Sequence, residues 1–598
     1  MTAAEKPQAA RLALLRQRLA KDGLAGLVIP RGDEHQGEYV PARAERLAWL
    51  TGFTGSAGEA IVLADRAAVF VDGRYTEQAR DQLDPALFEH RHISDQPEEE
   101  YIRAYLPKGG KLAIDPWLFS RDQAQRLARA AEAAGGSLVP VEPSPLDAVW
   151  QDQPAAPTQP IKPHPIEFAG EASAAKRARI GKALGEAGAD AAVLTLPDSI
   201  AWLLNVRGSD VQRNPFPLSF AIVRRDGGVT WFVSPQKLGP AVRESLDGAV
   251  ETKAPEAFPA ALDGLKGKRV LLDPATGPLW LFERVKAADA TVIEGADPCQ
   301  LPKAAKNPVE QEGARNAHRR DGVAVTRFLS WFAKAAPNGV SESQCAVELE
   351  GFRRQGNLFQ DLSFDTITGS GANGALPHYR VTEASDRVLR QGDLMVLDSG
   401  GQYLDGTTDI TRTLVVGKAP AEERDRYTRV LQGHIALATT RFPRGTTGSH
   451  LDAIARRPLW LAGLDYDHGT GHGVGSYLSV HEGPQRISKA LNRVALLPGM
   501  ILSNEPGYYK AGRYGIRIEN LVLVVETPAA VGEDRPMLGF ETLTMAPIEK
   551  RLIEPRLLSD DEIAWLDAYH ARVEAALGPS LEGEDRAFLA EACKPLLA

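Results

Sequence analysis

The leading half of this chain writes one order of elements twice. A helical pattern of apolar residues over 12–22 returns over 174–188. Each is followed by a short apolar run, Ala25-Gly-Leu-Val-Ile-Pro in the first copy and Ala191-Ala-Val-Leu-Thr-Leu-Pro in the second. An Ala-Trp-Leu comes next, at Ala48-Trp49-Leu50 and Ala201-Trp202-Leu203, with a Gly-Ser soon after it. Paired strand-like runs follow, Ala60-Ile-Val-Leu with Ala68-Val-Phe-Val-Asp, and Ala221-Ile-Val-Arg with Val229-Thr-Trp-Phe-Val. Helices alternating with strands at this spacing require α/β layers. A duplicated domain accounts for the repeat; two unrelated α/β domains that share common patterns are the alternative.

Two breaks set the expected boundaries. Residues 151–165 carry five prolines in fifteen positions, which sustains neither a helix nor a central strand and predicts an extended linker. A shorter break over 298–308 separates the strand-like Thr291-Val-Ile-Glu from a long helical pattern beginning near Val309. The expected blocks are 1–155, 156–305 and 306–598, in line with about 150 residues per domain. In the third block, 309–335 and 425–442 have helical periodicity, the latter stopped by Pro443 and Gly445.

Composition removes several classes of function. A net charge of −9 over 598 residues lacks the basic face of a nucleic-acid binder. Cys299, Cys345 and Cys593 are odd in number and far apart, so they supply no disulfide framework and predict buried thiols in a reducing compartment. The opening Met1-Thr-Ala-Ala-Glu-Lys-Pro runs into a charged helical pattern without an apolar core, so neither a signal peptide nor an anchor is expected there. No run reaches the length of a membrane span. The expectation is a cytoplasmic protein with no membrane and no nucleic-acid partner.

The chemistry is concentrated in the third block. Asp398, Asp409, His472, Glu505 and Glu519 fall within 122 positions. They sit in Leu397-Asp-Ser-Gly-Gly-Gln-Tyr-Leu-Asp-Gly-Thr-Thr-Asp, His468-Gly-Thr-Gly-His-Gly-Val-Gly, Asn504-Glu-Pro-Gly-Tyr-Tyr and Gly515-Ile-Arg-Ile-Glu-Asn. Four oxygen donors with one nitrogen suit harder divalent ions such as manganese better than thiolate-loving ones. More carboxylates than one ion needs suit a two-metal site, which points to metal-assisted hydrolysis.

Each residue alone has a plainer reading. Asp398 follows the apolar Leu394-Met-Val-Leu, where a buried carboxylate needs a cation or donors. By themselves, Asp398 and Asp409 are equally read as turn or cap residues, and Asp405 is expected to serve its Asp-Gly turn. The glycines of 468–475 shift that balance, because glycine lets backbone approach a ligand closely. Glu505 is placed at a strand end. Period-2 alternation sets Gly515, Arg517 and Glu519 on one face, leaving either a buried Arg517–Glu519 pair or a metal-binding Glu steadied by an Arg. His378 and His481, taken singly, read as surface or satisfied core.

Together these residues resemble the metal-dependent peptidases of the pita-bread fold, the superfamily of methionine aminopeptidase, prolidase and aminopeptidase P. The resemblance implies a curved, mainly antiparallel catalytic sheet in 306–598, behind two similar creatinase-like α/β domains. It implies that Asp398, Asp409, His472, Glu505 and Glu519 bind two divalent ions, with Asp409 and Glu519 bridging. Mn2+ heads the expectation, with Co2+ or Zn2+ open. His378, His468 and His481 match substrate-binding and proton-handling histidines, and Glu505 the residue that moves the water proton.

Arg31-Gly-Asp-Glu-His-Gln-Gly-Glu-Tyr, Gly52-Phe-Thr-Gly-Ser-Ala-Gly, Asp72-Gly-Arg-Tyr and Ile200-Ala-Trp-Leu-Leu-Asn-Val-Arg-Gly-Ser-Asp look like the three-domain cytosolic aminopeptidase P. That implies cleavage between an N-terminal residue and a following proline, by a hydroxide held between two metals, in a homodimer. The rivals are an Xaa-Pro dipeptidase (prolidase), a metal-free hydrolase resembling creatinase, and a non-catalytic pita-bread protein that binds peptide or protein.

Overall fold

A computed structural model describes residues 7–529, 532 and 534–597; residues 1–6 of the opening stretch lie outside the described residues. These form two compact units. One takes the chain up to His164 together with Glu171–Cys299, the other takes Pro165–Gly170 and the chain from Gln300 onward. No helix of the described residues is long and apolar enough to cross a membrane.

The first unit holds two six-stranded sheets. The strands of one are Gly26–Pro30, Glu59–Leu63, Ala67–Val71, Glu89–His92, Lys111–Ile114 and Ser137–Pro140; those of the other are Ala191–Leu194, Phe220–Arg224, Val229–Phe232, Val250–Lys253, Arg269–Leu272 and Thr291–Glu294. Both sheets run fourth-third-second-first-fifth-sixth. In each, the first three strands pair antiparallel and the outer three are added parallel. A matching order and sense across six strands follows from duplication, whereas shared α/β composition does not require it. Strands covered on both faces read as continuous apolar runs. Leu27 and Ile29 pack with Leu12, Leu15 and Leu19 of the helix Pro7–Lys21, and Val28 packs on the opposite face with Leu127 of the helix Arg121–Ala133.

Three boundaries differ from the sequence expectation. Within the proline-rich stretch, Lys162–Pro163 pairs with Val206–Arg207, because proline tolerates an edge position. The break over 298–308 contains the helix Gln300–Ala304, and Ala305 then bridges to Met500. The helix expected over 425–442 is Ala421–Ala438. Thr439 and Thr440 donate their hydroxyls back to the carbonyls of Ile435 and Ala436, and Phe442–Pro443 leaves to pair with Met537–Thr542.

In the second unit every described strand pairing is antiparallel. The long helix Pro308–Ala335 begins at an Asn307–Glu310 capping box, with proline at its first position. Leu394–Ser399 runs between Ile367–Ser370 and Ile410–Val415. Ile501–Asn504 pairs with Asn520–Glu526, while Gly507–Lys510 and Tyr514–Arg517 form a separate hairpin. The two pairs fork at Glu505-Pro506 and Ile518-Glu519. All three cysteines are buried and free; burial pushes the Cys345 and Cys593 thiols up to about 12, far from the reactive range.

Candidate metal centre and active site

The fork in the sheet explains where the acids stand. A ladder that continued would pair residues 505 and 519 with each other; instead the Glu505 N–H donates to the Thr470 carbonyl (2.9 Å) and the Glu519 N–H to that of Thr411 (3.1 Å). Because it divides there, Glu505 and Glu519 lie at strand ends, and a hydrogen bond from the Ile518 N–H to the Pro506 carbonyl (3.2 Å) spans the junction. Asp409 immediately precedes Ile410–Val415, Asp398 lies inside Leu394–Ser399, and His472 ends the short strand Gly471–His472. All five candidate ligands therefore sit in or beside a strand, which holds a donor more rigidly than a loop.

Ligand atoms of Asp409, His472 and Glu519 lie within 4.8 Å of one another. His472 Nε2 is 3.4 Å from both Asp409 Oδ2 and Glu505 Oε1. The Gly473 carbonyl, 2.9 Å from His472 Nδ1, can only accept, so Nδ1 carries the proton and Nε2 faces the acids with its lone pair. Ser503 Oγ accepts from the His472 N–H (2.9 Å) and donates to Glu505 Oε1 (3.0 Å). Thr411 Oγ1 donates to Glu519 Oε2 at 2.7 Å.

The remaining oxygens point to what the cluster binds. Asp398 Oδ1, Asp409 Oδ1 and Glu519 Oε1 are buried without a hydrogen-bond partner. Three such orphans in one cluster are costly unless a cation takes them. Desolvation first, then the charges of Asp398 and Glu505, pushes the Asp409 carboxyl well above the ordinary range. Glu519 is pushed well up by desolvation and then by Asp409 and Glu505. Glu505 rises by desolvation, opposed by His472 and Arg517. A donor set of four carboxylates and one imidazole, with orphaned oxygens and raised carboxyls, fits divalent cations.

Arg517 decides between the two readings of its strand. Its Nη2 donates to Asp398 Oδ2 at 2.6 Å, which favours an Arg that steadies the site over a buried Arg517–Glu519 pair. Arg517 Nε also donates to Thr411 Oγ1 (3.2 Å), the hydroxyl that donates to Glu519, so the two side chains face one site through Thr411.

Comparison with known proteins places this arrangement. The pattern of metallopeptidase family M24 matches residues 312–526, with the C-terminal region of that family at 536–596. Creatinase/prolidase N-terminal domains match 11–149 and 152–310. A probable Xaa-Pro aminopeptidase P of Laccaria bicolor is 40% identical over 98% of this chain and 93% of its own length. The chain belongs to metallopeptidase family M24. Among solved structures, the X-prolyl aminopeptidase of Caenorhabditis elegans, described as a cytosolic enzyme with a di-nuclear active site, superposes with a TM-score of 0.94. It is 33% identical, with 98% of this chain and 99% of that one covered. An Xaa-Pro dipeptidase from Bacillus anthracis covers 63% of this chain and 99% of its own, at 26% identity and a TM-score of 0.52.

As an M24 peptidase the chain has the expected architecture, creatinase-type α/β domains ahead of a curved antiparallel catalytic sheet. The three further histidines expected to serve it are not equally close to the acids. The His481 ring stands edge-on to His472, centroids 4.3 Å apart. Half-buried His378 follows Pro377, whose carbonyl accepts from Arg517 Nη2 at 3.1 Å. His468 reaches the acids through a chain: its Nδ1 donates to the Gly469 carbonyl (2.7 Å), Tyr509 donates its hydroxyl to Nε2 (2.8 Å), and Arg517 Nη1 donates to Tyr509 (2.5 Å).

Sequence reasoning gave no role to Tyr509, Thr411, Ser503 or Arg456. Tyr509 was visible in Asn504-Glu-Pro-Gly-Tyr-Tyr, but its partners come from remote segments. Buried Arg456 donates to Asp452 and to the carbonyls of Tyr466 and His468, pinning the glycine-rich loop from behind. Asp405 stands in the turn between Gly401–Tyr403 and Gly406–Thr407, and its carboxylate pairs with Arg320.

The glycines of that loop were expected to admit a ligand. The structure uses two of them to admit neighbouring backbone: a Cβ on Gly471 would lie 2.0 Å from the Ser503 carbonyl oxygen, and one on Gly473 2.1 Å from that of Glu482. We predict that Gly471→Ala costs about 1–3 kcal/mol by overpacking and weakens metal retention, because Ser503 also holds His472 and Glu505. Denaturant unfolding and metal content of the purified variant check this; unchanged values for both would contradict it.

Proposed function

We propose that this M24 peptidase is an Xaa-Pro aminopeptidase, removing the N-terminal residue from peptides with proline in second place. The observation that carries the reading is the grouping of Asp409, His472 and Glu519, with Glu505 beside His472 and unpartnered buried oxygens on Asp398, Asp409 and Glu519. The chain-long likeness to aminopeptidase P relatives supports it, since the dipeptidase covers a smaller share. The domain division 1–155, 156–305 and 306–598 belongs to the same reading and is supported by the two equivalent sheets.

Asp398, Asp409, His472, Glu505 and Glu519 would hold two divalent ions. When bound, such ions supply charge that polarises a carbonyl and lowers the pKa of water towards neutrality. Manganese is the ion favoured by an oxygen-rich set. Arg517 orients Asp398 through its 2.6 Å hydrogen bond. Glu505 accepts the proton of the attacking water, while the Ser503 hydroxyl fixes its other contact. The bond before proline is a tertiary amide, so the leaving nitrogen carries no hydrogen and must receive one; Glu505 delivers it. His378, His468 and His481 hold the peptide and the developing oxyanion. A cytoplasmic location accords with the cytosolic relative, and a homodimer rests on the family resemblance.

Hydrolysis of an Xaa-Pro-Xaa tripeptide against the matching Xaa-Pro dipeptide, with metal analysis of the same sample, tests the reading. The tripeptide is expected to turn over faster by at least an order of magnitude. A preference for the dipeptide would make the chain a prolidase, and a metal-free, inactive protein would make it a binding protein.

A further inference from the structure

Two buried lysines meet at the carboxylate beside His481, and nothing in the reaction described above uses them. Lys306 Nζ donates to Glu482 Oε1 at 2.7 Å, and Lys303 Nζ lies 2.9 Å from Oε2. The three side chains are 0–2% exposed. Burying three charges is expensive, and replacement of such groups by apolar residues is often neutral or stabilising. One cation would suffice to neutralise Glu482. The arrangement therefore calls for an explanation beyond filling a core.

Both lysines come from the segment that the sequence presented as a break. It is fixed to the catalytic sheet by the Ala305–Met500 bridge and by the Lys306 N–H donating to the Gly499 carbonyl at 2.9 Å. Glu482 is fixed on its other side. Its N–H donates to the Gly473 carbonyl at 2.8 Å, and its own carbonyl occupies the space that a Cβ on Gly473 would need. Glu482 thus ties the residue after His472 to the lysine segment, and the residue directly before Glu482 is His481, its ring 4.3 Å from that of His472.

We propose that Lys303 and Lys306 are positioning residues that act through Glu482 to hold His481 at the reaction centre. Docking of the 300–306 segment then sets the geometry of a substrate-facing histidine 175 or more residues away in sequence. Because two lysines share one carboxylate, replacing either leaves a neutral Lys–Glu pair, so single variants keep a balanced core.

The inference rests on the proposed role of His481, and the experiment separates the two. Lys303→Met, Lys306→Met, His481→Ala and the double variants with His481→Ala are assayed as full-length, metal-loaded protein on an Xaa-Pro-Xaa tripeptide. Each lysine variant is expected to lose about tenfold or more in kcat, as contacting groups that act as a unit do, with metal content unchanged. In the His481→Ala background the same lysine replacement is expected to change kcat by less than about twofold. An equal loss in both backgrounds, or a lowered melting temperature with kcat intact, would overturn the proposal and leave the lysines as part of the fold alone. If His481→Ala by itself left kcat unchanged, the role of His481 would fall and the inference with it. Failure of the wild-type chain to cleave the tripeptide would instead count against the proposed activity.

Discussion

Glu505→Gln is expected to lower kcat on an Xaa-Pro-Xaa peptide by about 10²–10⁴-fold, the contribution of a positioned general acid–base. At about 1.4 kcal/mol per factor of ten, that is roughly 3–5 kcal/mol of transition-state stabilisation. The amide keeps the size of the side chain and can still accept from Ser503, so the fold is retained. What it lacks is a site that takes a proton from water and gives it to the proline nitrogen. Asp398, Asp409, His472 and Glu519 remain, so some metal is expected to stay bound, and metal content measured beside kcat separates lost chemistry from lost metal. A variant within a few-fold of the parent would remove Glu505 from the proton path.

Chelation is expected to invert the pH dependence of stability. The Asp409, Glu505 and Glu519 carboxyls are all held above their free values, chiefly by desolvation and then by neighbouring acids. A raised carboxyl means that the folded chain binds more protons than the unfolded one, so stability falls as pH rises. These groups add to stability below about pH 4, where free carboxyls titrate, and that contribution is lost as pH climbs through the raised values. Divalent ions require the ligands deprotonated, so the loaded protein gains where the chelated one loses. Free ion at a hundred times its dissociation constant adds about 2.7 kcal/mol. The melting temperature of chelated protein should therefore fall between pH 5 and pH 8, and the rise on adding Mn2+ should be larger at pH 8. A chelated protein whose melting temperature climbs with pH over that span would contradict the assignment of these carboxyls to one site.

Much of this was legible in the chain. Repeated helix and strand patterns named both leading sheets, because amphipathic periodicity is a local property of the residues that form an element. Their common strand order was not legible, since pairing depends on crossovers that bring distant strands together. The five candidate ligands stood out as acids and a histidine where apolar or turn residues would be ordinary. Their mutual distances did not, and neither did the split that places Glu505 and Glu519 opposite each other. Period-2 alternation through 515–519 put Arg517 and Glu519 on one face, and both reach the Thr411 hydroxyl there; that Arg517 pairs with Asp398 depends on a strand more than a hundred residues away. The segment 300–306 looked like punctuation, yet its lysines bind Glu482, a residue nothing in their own neighbourhood announces.

The sequence alone determined which groups could do chemistry: four carboxylates and one imidazole in glycine-rich strand ends, a composition that suits divalent ions and excludes thiolate or nucleic-acid chemistry. It also carried one order of helix and strand patterns twice ahead of them. Only the tertiary structure decided which oxygen of each acid is left without a partner, which nitrogen of His472 faces the cluster, and which cation answers which anion. Residue type and period are carried by neighbours along the chain. Charge pairing and desolvation depend on distances between segments a hundred or more residues apart, and only folding sets those.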